Sequence, residues 1–439
     1  MTDDPNPTGR YSTASGKTFD FVPGFYDFHV RHYGHRKSVS NVVETSVNAA
    51  GDPGAIDYAT IRAKFSRERT SVKTLVDYVS RVVPTYQLLE AFADTRFARP
   101  GGRALDIGCG RGVHLRLLKG WGYIDEAVGI DVYDHCTGFD ESSLDRMHRR
   151  FKWLRHAEAM QDRIAAKPPS EWSEIEYLIM NRVPTVRKFA ADYGHRPGSD
   201  IYRLKMRRRP SMDRFVAGNV FEFEGQFDLV TSFASLDWFP AERIFGKVAD
   251  LLADGGFFYV WVTNWWHAMN TTNVFGHFPF AAQRMSKSDF DAYVRATMPE
   301  HHETIMNSYS YFDPGHPTLA DLVDTAGAHG LVPLTWRQNV LPDAARPRGG
   351  LSSLGVAQFD PAGFSSACED AKAVKAGLRS VDMLPYSYSI LFQKTRRDSK
   401  LDAGKLAAIS ESMHQRPRAD SAAASIVRRL GSAIYNRFG

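Results

Sequence analysis

Two acids and a run of alternating glycines are the residues of this 439-residue chain with the clearest potential to bind a ligand. An apolar run reaches Asp106, and Gly108, Gly110 and Gly112 follow before a helical pattern begins. A second apolar run, further along the chain, ends at Asp131. Glycine lets the backbone turn sharply and lets a ligand approach it, and a helix start offers free N–H groups at a positive dipole end. The pattern predicts a strand, a tight turn and a helix, with Asp131 placed to grip the two hydroxyls of a ribose.

The glycine spacing separates two classes of ligand. Dinucleotide sites prefer the spacing G-x-G-x-x-G, in which the helix start faces a pyrophosphate, whereas the glycines here follow G-x-G-x-G. The carboxylate of Asp106 would repel a pyrophosphate, but it suits the ammonium and the sulfonium of S-adenosylmethionine (SAM). The run therefore resembles motif I of the class I SAM-dependent methyltransferases. Another nucleotide-binding α/β domain is the alternative.

Later segments resemble the same family, in the same order. Residues 214–220 correspond to its third strand and the polar residue after it, and residues 227–233 to its fourth strand. Residues 251–260 correspond to a helix end, a Gly-Gly turn and the fifth strand. Residues 316–336 correspond to the last helix with the sixth strand, and residues 386–394 to the closing strand. The resemblance implies an α/β fold, a Rossmann-like seven-stranded, mostly parallel sheet flanked by helices. A helical N-terminal segment and a helical insertion between strands 2 and 3 would be added to that core.

The resemblance also implies SAM as the cofactor and a set of residues that bind it. Asp106 would face the sulfonium or the ammonium, and Asp131 would accept both ribose hydroxyls in charge-assisted bonds. Asn219 would bond the adenine edge, where the family more often has Asp, and Val132 would pack on the adenine face. The turn backbone would lie along the amino-acid end and the ribose, and residues after the fourth strand would line the wall near the methyl group. The implied set is Asp106, Gly108, Cys109, Gly110, Asp131, Val132, Asn219, Val220, Ser232 and Phe233.

Two residues are candidates for the base that an oxygen nucleophile needs, because methyl transfer to a hydroxyl benefits from removal of its proton. Asp237 follows the fourth strand, where family members often place active-site side chains; the alternative is an N-cap for a helix that begins near Pro240. His267 follows the fifth strand, and histidine titrates near neutral pH. The adjacent Trp265 and Trp266 either stack on a flat or sugar-like substrate or pack under the following excursion.

The composition is that of an ordinary globular protein, with 43% hydrophobic and 24% charged residues. A net charge of +5 gives no basic field for a nucleic acid. The Asn/Asp-Pro-Pro-Tyr motif of amino-methylating nucleic-acid enzymes is also missing, because residues 232–235 read Ser-Phe-Ala-Ser. The three cysteines show no metal-type spacing and fit a reducing compartment. With a polar N-terminus and no apolar run of transmembrane length, we expect a cytoplasmic protein.

Two further polar clusters carry weaker signals. His29, His32 and His35 recur at even intervals, but no carboxylate set accompanies them, and we expect no metal site. The basic run 203–209 either meets a phosphate-bearing substrate or forms a solvated edge.

We expect three parts along the chain. Residues 1–100 would form a helical N-terminal segment or lid, residues 101–397 the SAM-dependent methyltransferase core, and residues 398–439 a polar tail that ends in an amphipathic helix. That helix either rests on an anionic membrane surface, which would place the protein at the periphery of the inner membrane, or docks on a partner.

Three additions are expected within the core. The helical stretch 135–213 would be a cap over the ligand crevice that specifies the substrate, or alternatively a pair of helices for stability or for a homodimer. Substrate-side excursions would span 264–315 and 339–383.

These patterns favour a methyltransferase that moves the methyl group of SAM to a small-molecule or glycan-type acceptor, on oxygen. A non-catalytic SAM-binding regulatory or scaffold subunit is the alternative, because no unambiguous base stands out. We expect no nucleic acid among its partners.

Overall fold

The computed structural model describes ten stretches of the chain and several single residues. They are 9–22, 84–92, 101–132, 162–167, 206–236, 239–267, 276–311, 316–339, 361–385 and 387–395, with Tyr26, Arg81, Cys136, Phe139, Glu141, Leu144 and Val274. Most of the insertion 135–213 and the whole tail 398–439 with its amphipathic helix lie outside these residues, so the expectations for them stay predictions.

A seven-stranded sheet forms the centre of the described structure. Its strands are β3 (Arg103–Ile107), β4 (Glu126–Asp131), β5 (Arg214–Ala217), β6 (Phe227–Phe233), β7 (Leu252–Thr263), β8 (Leu331–Asn339) and β9 (Ser387–Lys394). They lie in the order β5-β4-β3-β6-β7-β9-β8, and β9 is antiparallel to both of its neighbours while the other pairs are parallel. This confirms the predicted α/β fold with a mostly parallel sheet.

A small hairpin precedes the sheet and was not predicted from the sequence. It consists of β1 (Arg10–Ser12) and β2 (Thr18–Asp20), which pair antiparallel around a turn with Gly16 at a φ of 81°. Only glycine adopts that left-handed conformation readily.

Six helices with defined bounds flank or extend the sheet within the described residues. They are α1 (Val113–Trp121), α2 (Ala241–Leu251), α3 (Lys287–Thr297), α4 (His302–Tyr311), α5 (Leu319–Ala328) and α6 (Pro361–Val374). Among the described residues, no helix has the length and apolar character that a bilayer crossing requires.

Helix termini follow local signals in the sequence. The left-handed glycines Gly112 and Gly122 begin and end α1, and the Gly122 N–H bonds back to carbonyls of the last turn. A capping box begins α5, in which Thr318 and Asp321 each accept a backbone N–H of the other. These caps fix where α1 begins and ends and where α5 begins.

The two faces of the sheet bury separate apolar clusters. One face packs against α1 and the helical segment 84–92, with fully buried Leu88, Phe92, Leu117 and Trp121 in the cluster. The other face packs against α2 and α5. Both faces of a parallel sheet are covered, as its continuous apolar strands require.

A third cluster, which we call the outer cluster, joins the hairpin to the region after β7. It contains Phe19, Trp265, Phe278, Phe290, Tyr293, Tyr309, Cys368 and neighbouring residues. The ring of Phe19 stacks on Phe278 with centroids 4.9 Å apart, and the Arg284 guanidinium lies 4.9 Å from the Phe19 centroid. The hairpin is therefore anchored on residues of the two excursions.

Candidate functional site

The glycine turn lies where the carboxyl end of β3 meets β4. Residues of β3 pair in parallel with β4, which places Ile107 beside Ile130, and the Gly108 N–H donates to the Ile130 carbonyl at 2.9 Å. Gly108, Gly110 and Gly112 all have positive φ, at 67°, 52° and 64°. Other residues are strained in that region, so the alternation of glycines is what allows the chain to pass from strand to helix in so few residues.

The turn is closed at one glycine and open at the next. A Cβ added at Gly108 would lie 2.4 Å from the Cβ of Ser235, so the turn packs tightly against the segment after β6. At Gly110, no described atom lies within 4 Å of an added Cβ. The turn is therefore open at Gly110 among the described residues, and the cofactor contact expected there stays a prediction.

Asp131 is held against the same glycine. Its Oδ2 accepts the N–H of Gly110 at 2.7 Å, and its side chain is half-buried at the end of β4. A carboxylate fixed at a strand end beside a glycine turn has the position from which it can receive ribose hydroxyls. Val132 follows directly and is also half-buried, so it lies at the same edge of the sheet.

Asp106 is fully buried in β3. Its Oδ1 accepts the hydroxyl proton of Thr231 at 2.8 Å, whereas Oδ2 has no hydrogen-bond partner among the described residues. Burial raises the pKa of Asp106 to about 7, although the Thr231 bond and the nearby Arg81 cation oppose the shift. An unpartnered carboxylate oxygen in a buried place would gain a donor when a ligand binds.

Two thiols lie beneath the turn. The Sγ atoms of Cys109 and Cys136 donate to the carbonyl of Gly110 at 3.6 Å and 3.2 Å. Burial, with smaller contributions from Cys136 and nearby acids, raises the pKa of the Cys109 thiol well above its usual value. Cys109 therefore contributes a neutral side chain that supports the turn from below.

The end of β6 forms the other wall of the site. Ser232 is fully buried and its hydroxyl bonds that of Ser235 at 2.8 Å, while Ser235 donates to the Ile107 carbonyl at 2.7 Å. Ala234 has a φ of 55°, a conformation that strains a residue with a Cβ. Strained residues concentrate at functional sites, and this one lies between the two serines.

Phe233, at the same strand end, packs on a residue that the sequence reasoning missed. Its ring stacks on the imidazole of His114, with centroids 3.3 Å apart and an interplanar angle of 9°. The His114 Nδ1 lies 2.7 Å from the hydroxyl of Thr85, and Arg81 donates to the Phe233 carbonyl at 3.2 Å. No local pattern in the sequence signals these contacts, because they join α1 to a helical segment much earlier in the chain.

Asn219 and Val220 have structural partners in this state. The Asn219 Oδ1 accepts the N–H of Phe221 at 3.1 Å, and its Nδ2 donates to Glu222 at 3.2 Å, so the side chain caps a short 3₁₀ turn. Val220 is 4% exposed and packs in the cluster on the α2 side of the sheet. Their contact with adenine stays a prediction, and an adenine edge would have to displace the Asn219 cap.

The two base candidates are placed differently. Asp237 lies outside the described residues, and Pro240 occupies the N-cap position of α2 without a side-chain cap, so Asp237 is not the N-cap residue. His267 is described and its side chain is fully buried. Burial lowers the pKa of His267 to about 4, so the imidazole is neutral at pH 7. The catalytic roles of both residues stay predictions.

The paired tryptophans pack inside the excursion. The ring of Trp265 stacks on His316 with centroids 3.8 Å apart, and the Trp266 Nε1 donates to the His316 carbonyl at 2.8 Å. Both are buried, at 5% and 1% exposure. Their positions favour the packing role over a substrate platform.

The basic run pairs with acids where it is described. Arg208 lies 2.9 Å from Asp125, and Arg209 lies 2.9 Å from Glu141. These exposed pairs favour the solvated edge over a phosphate site. His29, His32 and His35 lie outside the described residues.

The residues at this strand end fit SAM. Gly110 provides an open stretch of backbone, Asp131 a carboxylate at the end of β4, and Asp106 a buried oxygen that lacks a donor among the described residues. The sheet order and the turn together define a class I SAM-dependent methyltransferase domain, and SAM is the cofactor of that class.

The comparison with family models gives the same result. Residues 80–290 match a family model described as a methyltransferase domain. A comparison with curated proteins finds no match.

Several solved structures are similar to the chain. Mycolic acid cyclopropane synthase CmaA1, complexed with SAH and CTAB, is 12% identical, with 67% of this chain and 79% of that chain covered and a TM-score of 0.29. The cyclopropane synthase MmaA2 from Mycobacterium tuberculosis is 12% identical, with 70% and 84% covered and a TM-score of 0.30. Phosphoethanolamine N-methyltransferase 2 from Haemonchus contortus, in complex with S-adenosyl-L-methionine, is 13% identical, with 87% and 62% covered and a TM-score of 0.31.

Proposed function

We propose that the protein transfers a methyl group from SAM to an oxygen of a small-molecule or glycan-type acceptor. The observation that carries the proposal is the contact of Asp131 with the open glycine turn, where Oδ2 accepts the Gly110 N–H at 2.7 Å. That bond orients the carboxylate at the edge of the sheet, where the ribose of SAM would bind. We propose the ten cofactor residues named from the sequence as the binding set.

SAM supplies an electrophilic methyl group on a positively charged sulfur. The residues of this chain would bind each part of SAM and exclude water. Asp131 would bind the ribose, the Gly110 backbone would lie along the cofactor, and Phe233 would line the wall near the methyl group. Since transfer is an in-line displacement, much of the rate would come from holding the acceptor oxygen against the methyl carbon.

The acceptor class rests on what surrounds the carboxyl end of β7. The first excursion begins at this end of the sheet, where ligands of open α/β sheets bind, so its residues would line one side of the acceptor site. Residues 232–235 read Ser-Phe-Ala-Ser in place of the motif of amino-methylating nucleic-acid enzymes, which argues against a nucleic acid as the acceptor.

Calorimetry with SAM and S-adenosylhomocysteine tests the cofactor part. We expect the wild type to bind both, and Asp131→Ala to weaken binding by roughly 1.5–3 kcal/mol, the range for hydrogen bonds to charged groups. Asp125→Ala is the matched control, because that acid is exposed and pairs only with surface Arg208 in the contacts described. No binding by the wild type, or equal binding by Asp131→Ala, would exclude the assignment.

The non-catalytic alternative has one observation in its favour, because the described base candidate His267 is fully buried. Incubation of the purified protein with SAM and a cell extract separates the two. An enzyme releases S-adenosylhomocysteine above background, and a regulatory subunit does not. Comparison of methylated metabolites and glycans in cells with and without the protein would then identify the acceptor and the atom.

A further inference from the structure

Two buried polar atoms on either side of the glycine turn, one on β3 and one on α1, have no hydrogen-bond partner among the described residues. They are Oδ2 of Asp106 and Nε2 of His114, and both side chains are at most 2% exposed. Buried polar groups are almost always hydrogen-bonded in folded proteins, so each such atom needs an explanation. A ligand that binds beside them would supply one.

The two atoms belong to one corner of the molecule. Thr231 and Phe233 lie on the same face of β6, since side chains alternate along a strand. Thr231 bonds the carboxylate of Asp106 at 2.8 Å, and the Phe233 ring stacks on the imidazole of His114. His114 also lies in the first turn of α1, directly after the glycine turn.

The hydrogen bonds of Thr85 define the tautomer of His114. A hydroxyl has one proton, and that of Thr85 is donated to the carbonyl of Arg81 at 2.8 Å. With the Thr85 proton on that carbonyl, we assign the 2.7 Å contact between Thr85 Oγ1 and His114 Nδ1 as a hydrogen bond that Nδ1–H donates. Burial, helped by the Arg81 cation, holds the pKa of His114 well below its usual value, so the ring is neutral. Its Nε2 is consequently a lone-pair acceptor.

Nε2 of His114 is thus an acceptor, and Oδ2 of Asp106 is one in the ionised carboxylate, the form that a bound cation would favour. The group that complements these two acceptors is a cationic donor such as an ammonium. The guanidinium of Arg81 bonds the Phe233 carbonyl at 3.2 Å and lies near enough to affect both Asp106 and His114 electrostatically. An isolated cation would be repelled there, but the carboxylate of an amino acid would offset that repulsion. The corner is complementary to an α-amino-acid zwitterion.

We propose that His114 binds the cofactor, with its Nε2 and Asp106 Oδ2 accepting N–H bonds from the ammonium at the amino-acid end of SAM, while Arg81 faces the carboxylate. This rests on the proposed function, and it adds a residue of α1 and two of the N-terminal segment to the site. Thr85 acts as a positioning residue, because it fixes the tautomer and does not touch the cofactor.

Two nucleoside ligands test the proposal on the full-length protein. S-adenosylhomocysteine contains the amino-acid end, and 5′-methylthioadenosine lacks it but keeps the ribose and adenine. We expect His114→Phe, which keeps a ring against Phe233, to weaken S-adenosylhomocysteine about tenfold or more and to leave 5′-methylthioadenosine within about twofold. Asp131→Asn is the contrasting control, because it should weaken both ligands.

Equal loss of both ligands in His114→Phe, or no loss of either, would overturn the proposal. Failure of the wild type to bind either ligand would instead overturn the proposed function. The two failures are therefore distinguishable.

Thr85 provides a second, milder test should His114→Phe not fold. We expect Thr85→Ser, which keeps the hydroxyl, to match the wild type, and Thr85→Val to weaken S-adenosylhomocysteine selectively. Nitrogen-15 NMR of the histidine ring should show the proton on Nδ1 of His114 in the wild type. A proton on Nε2 would refute the assignment whatever the binding data show.

Discussion

Gly108 and Gly110 stand two residues apart in the same turn, yet the structure gives them different tasks. A side chain at Gly108 would collide with Ser235, whereas the space beside Gly110 is open among the described residues. Gly108 is thus required for packing, and we propose that Gly110 is required for ligand approach. The sequence pattern alone assigns both to the cofactor.

Alanine substitutions separate these tasks. We expect Gly110→Ala to cost about 1–2 kcal/mol of stability from its positive φ alone, but to lower SAM affinity about tenfold or more because the methyl group fills the open space beside Gly110. Gly108→Ala should cost more stability, because a clash is added to the strain. Urea unfolding and calorimetry measure the two effects. A Gly110→Ala protein with wild-type affinity would show that this space does not receive the cofactor.

Asp106 should make the stability of the ligand-free protein depend on pH. Its folded pKa of about 7 lies above the usual value of 3.8, so between these pH values the folded state holds more protons than the unfolded state. The contribution of Asp106 is fully present below about pH 4 and is lost as the pH rises through about 7.

We therefore expect Asp106→Asn, which cannot ionise, to gain stability relative to the wild type as the pH rises from 5 to about 8. Urea unfolding of both proteins across that range measures the difference. A gap that stays constant with pH would contradict the folded-state titration of Asp106.

At the scale of elements, the strand ends were the most predictable part of the chain. The fourth-strand segment was predicted at 227–233, and β6 spans Phe227–Phe233. Similarly, β3 ends at Ile107 directly before Gly108, whose positive φ starts the turn, so the glycine pattern marks that boundary.

Two elements show where local patterns are insufficient. A Gly-Gly turn was expected before the fifth strand, but Gly255 and Gly256 lie within β7, which begins at Leu252. The register of β7 with β6 shifts between Phe227 and Leu229, so the glycines form an irregularity inside a paired strand. The start of β7 is thus set by its pairing with β6, which is distant in the sequence. The contacts of His114 with Thr85 and Phe233 are also between residues far apart in the sequence, so local patterns do not predict them.

The capping box of α5 gives a prediction at this scale. Thr318→Ala removes the side chain that accepts the Asp321 N–H, and we expect a loss of about 1 kcal/mol in the free energy of unfolding. Thr318→Ser keeps the hydroxyl and should restore most of it. Chemical denaturation compares the three proteins, and equal stability of the Ala and Ser variants would contradict the capping role.

At the scale of the whole molecule, the outer cluster unites segments that are far apart in the sequence. The hairpin β1–β2 contributes Phe19, the first excursion contributes Phe278 and Tyr293, and α6 contributes Cys368. Each segment has too few apolar residues to form a core alone. The sequence of one segment therefore does not predict which other segments it packs against.

A substitution of Phe19 tests how far the hairpin stabilises the outer cluster. Phe19→Ala removes a ring that is 2% exposed and stacked on Phe278, and we expect a loss of about 3–5 kcal/mol in local stability. Hydrogen exchange of α3 should accelerate, while the outward-facing control Thr18→Ala on the same strand should leave it unchanged. Exchange in Phe19→Ala at the wild-type rate would show that the hairpin is dispensable for this region.

The position of β9 has a consequence for synthesis of the protein. This strand is made last among those of the sheet, yet it lies between β7 and β8 and is the sheet neighbour of both. On the ribosome, the nascent chain therefore exposes the open edge of β7 until Ser387–Lys394 has emerged, and open strand edges recruit other chains. A premature stop before Ser387 would leave that edge permanently bare, so truncated products should depend on chaperones and aggregate.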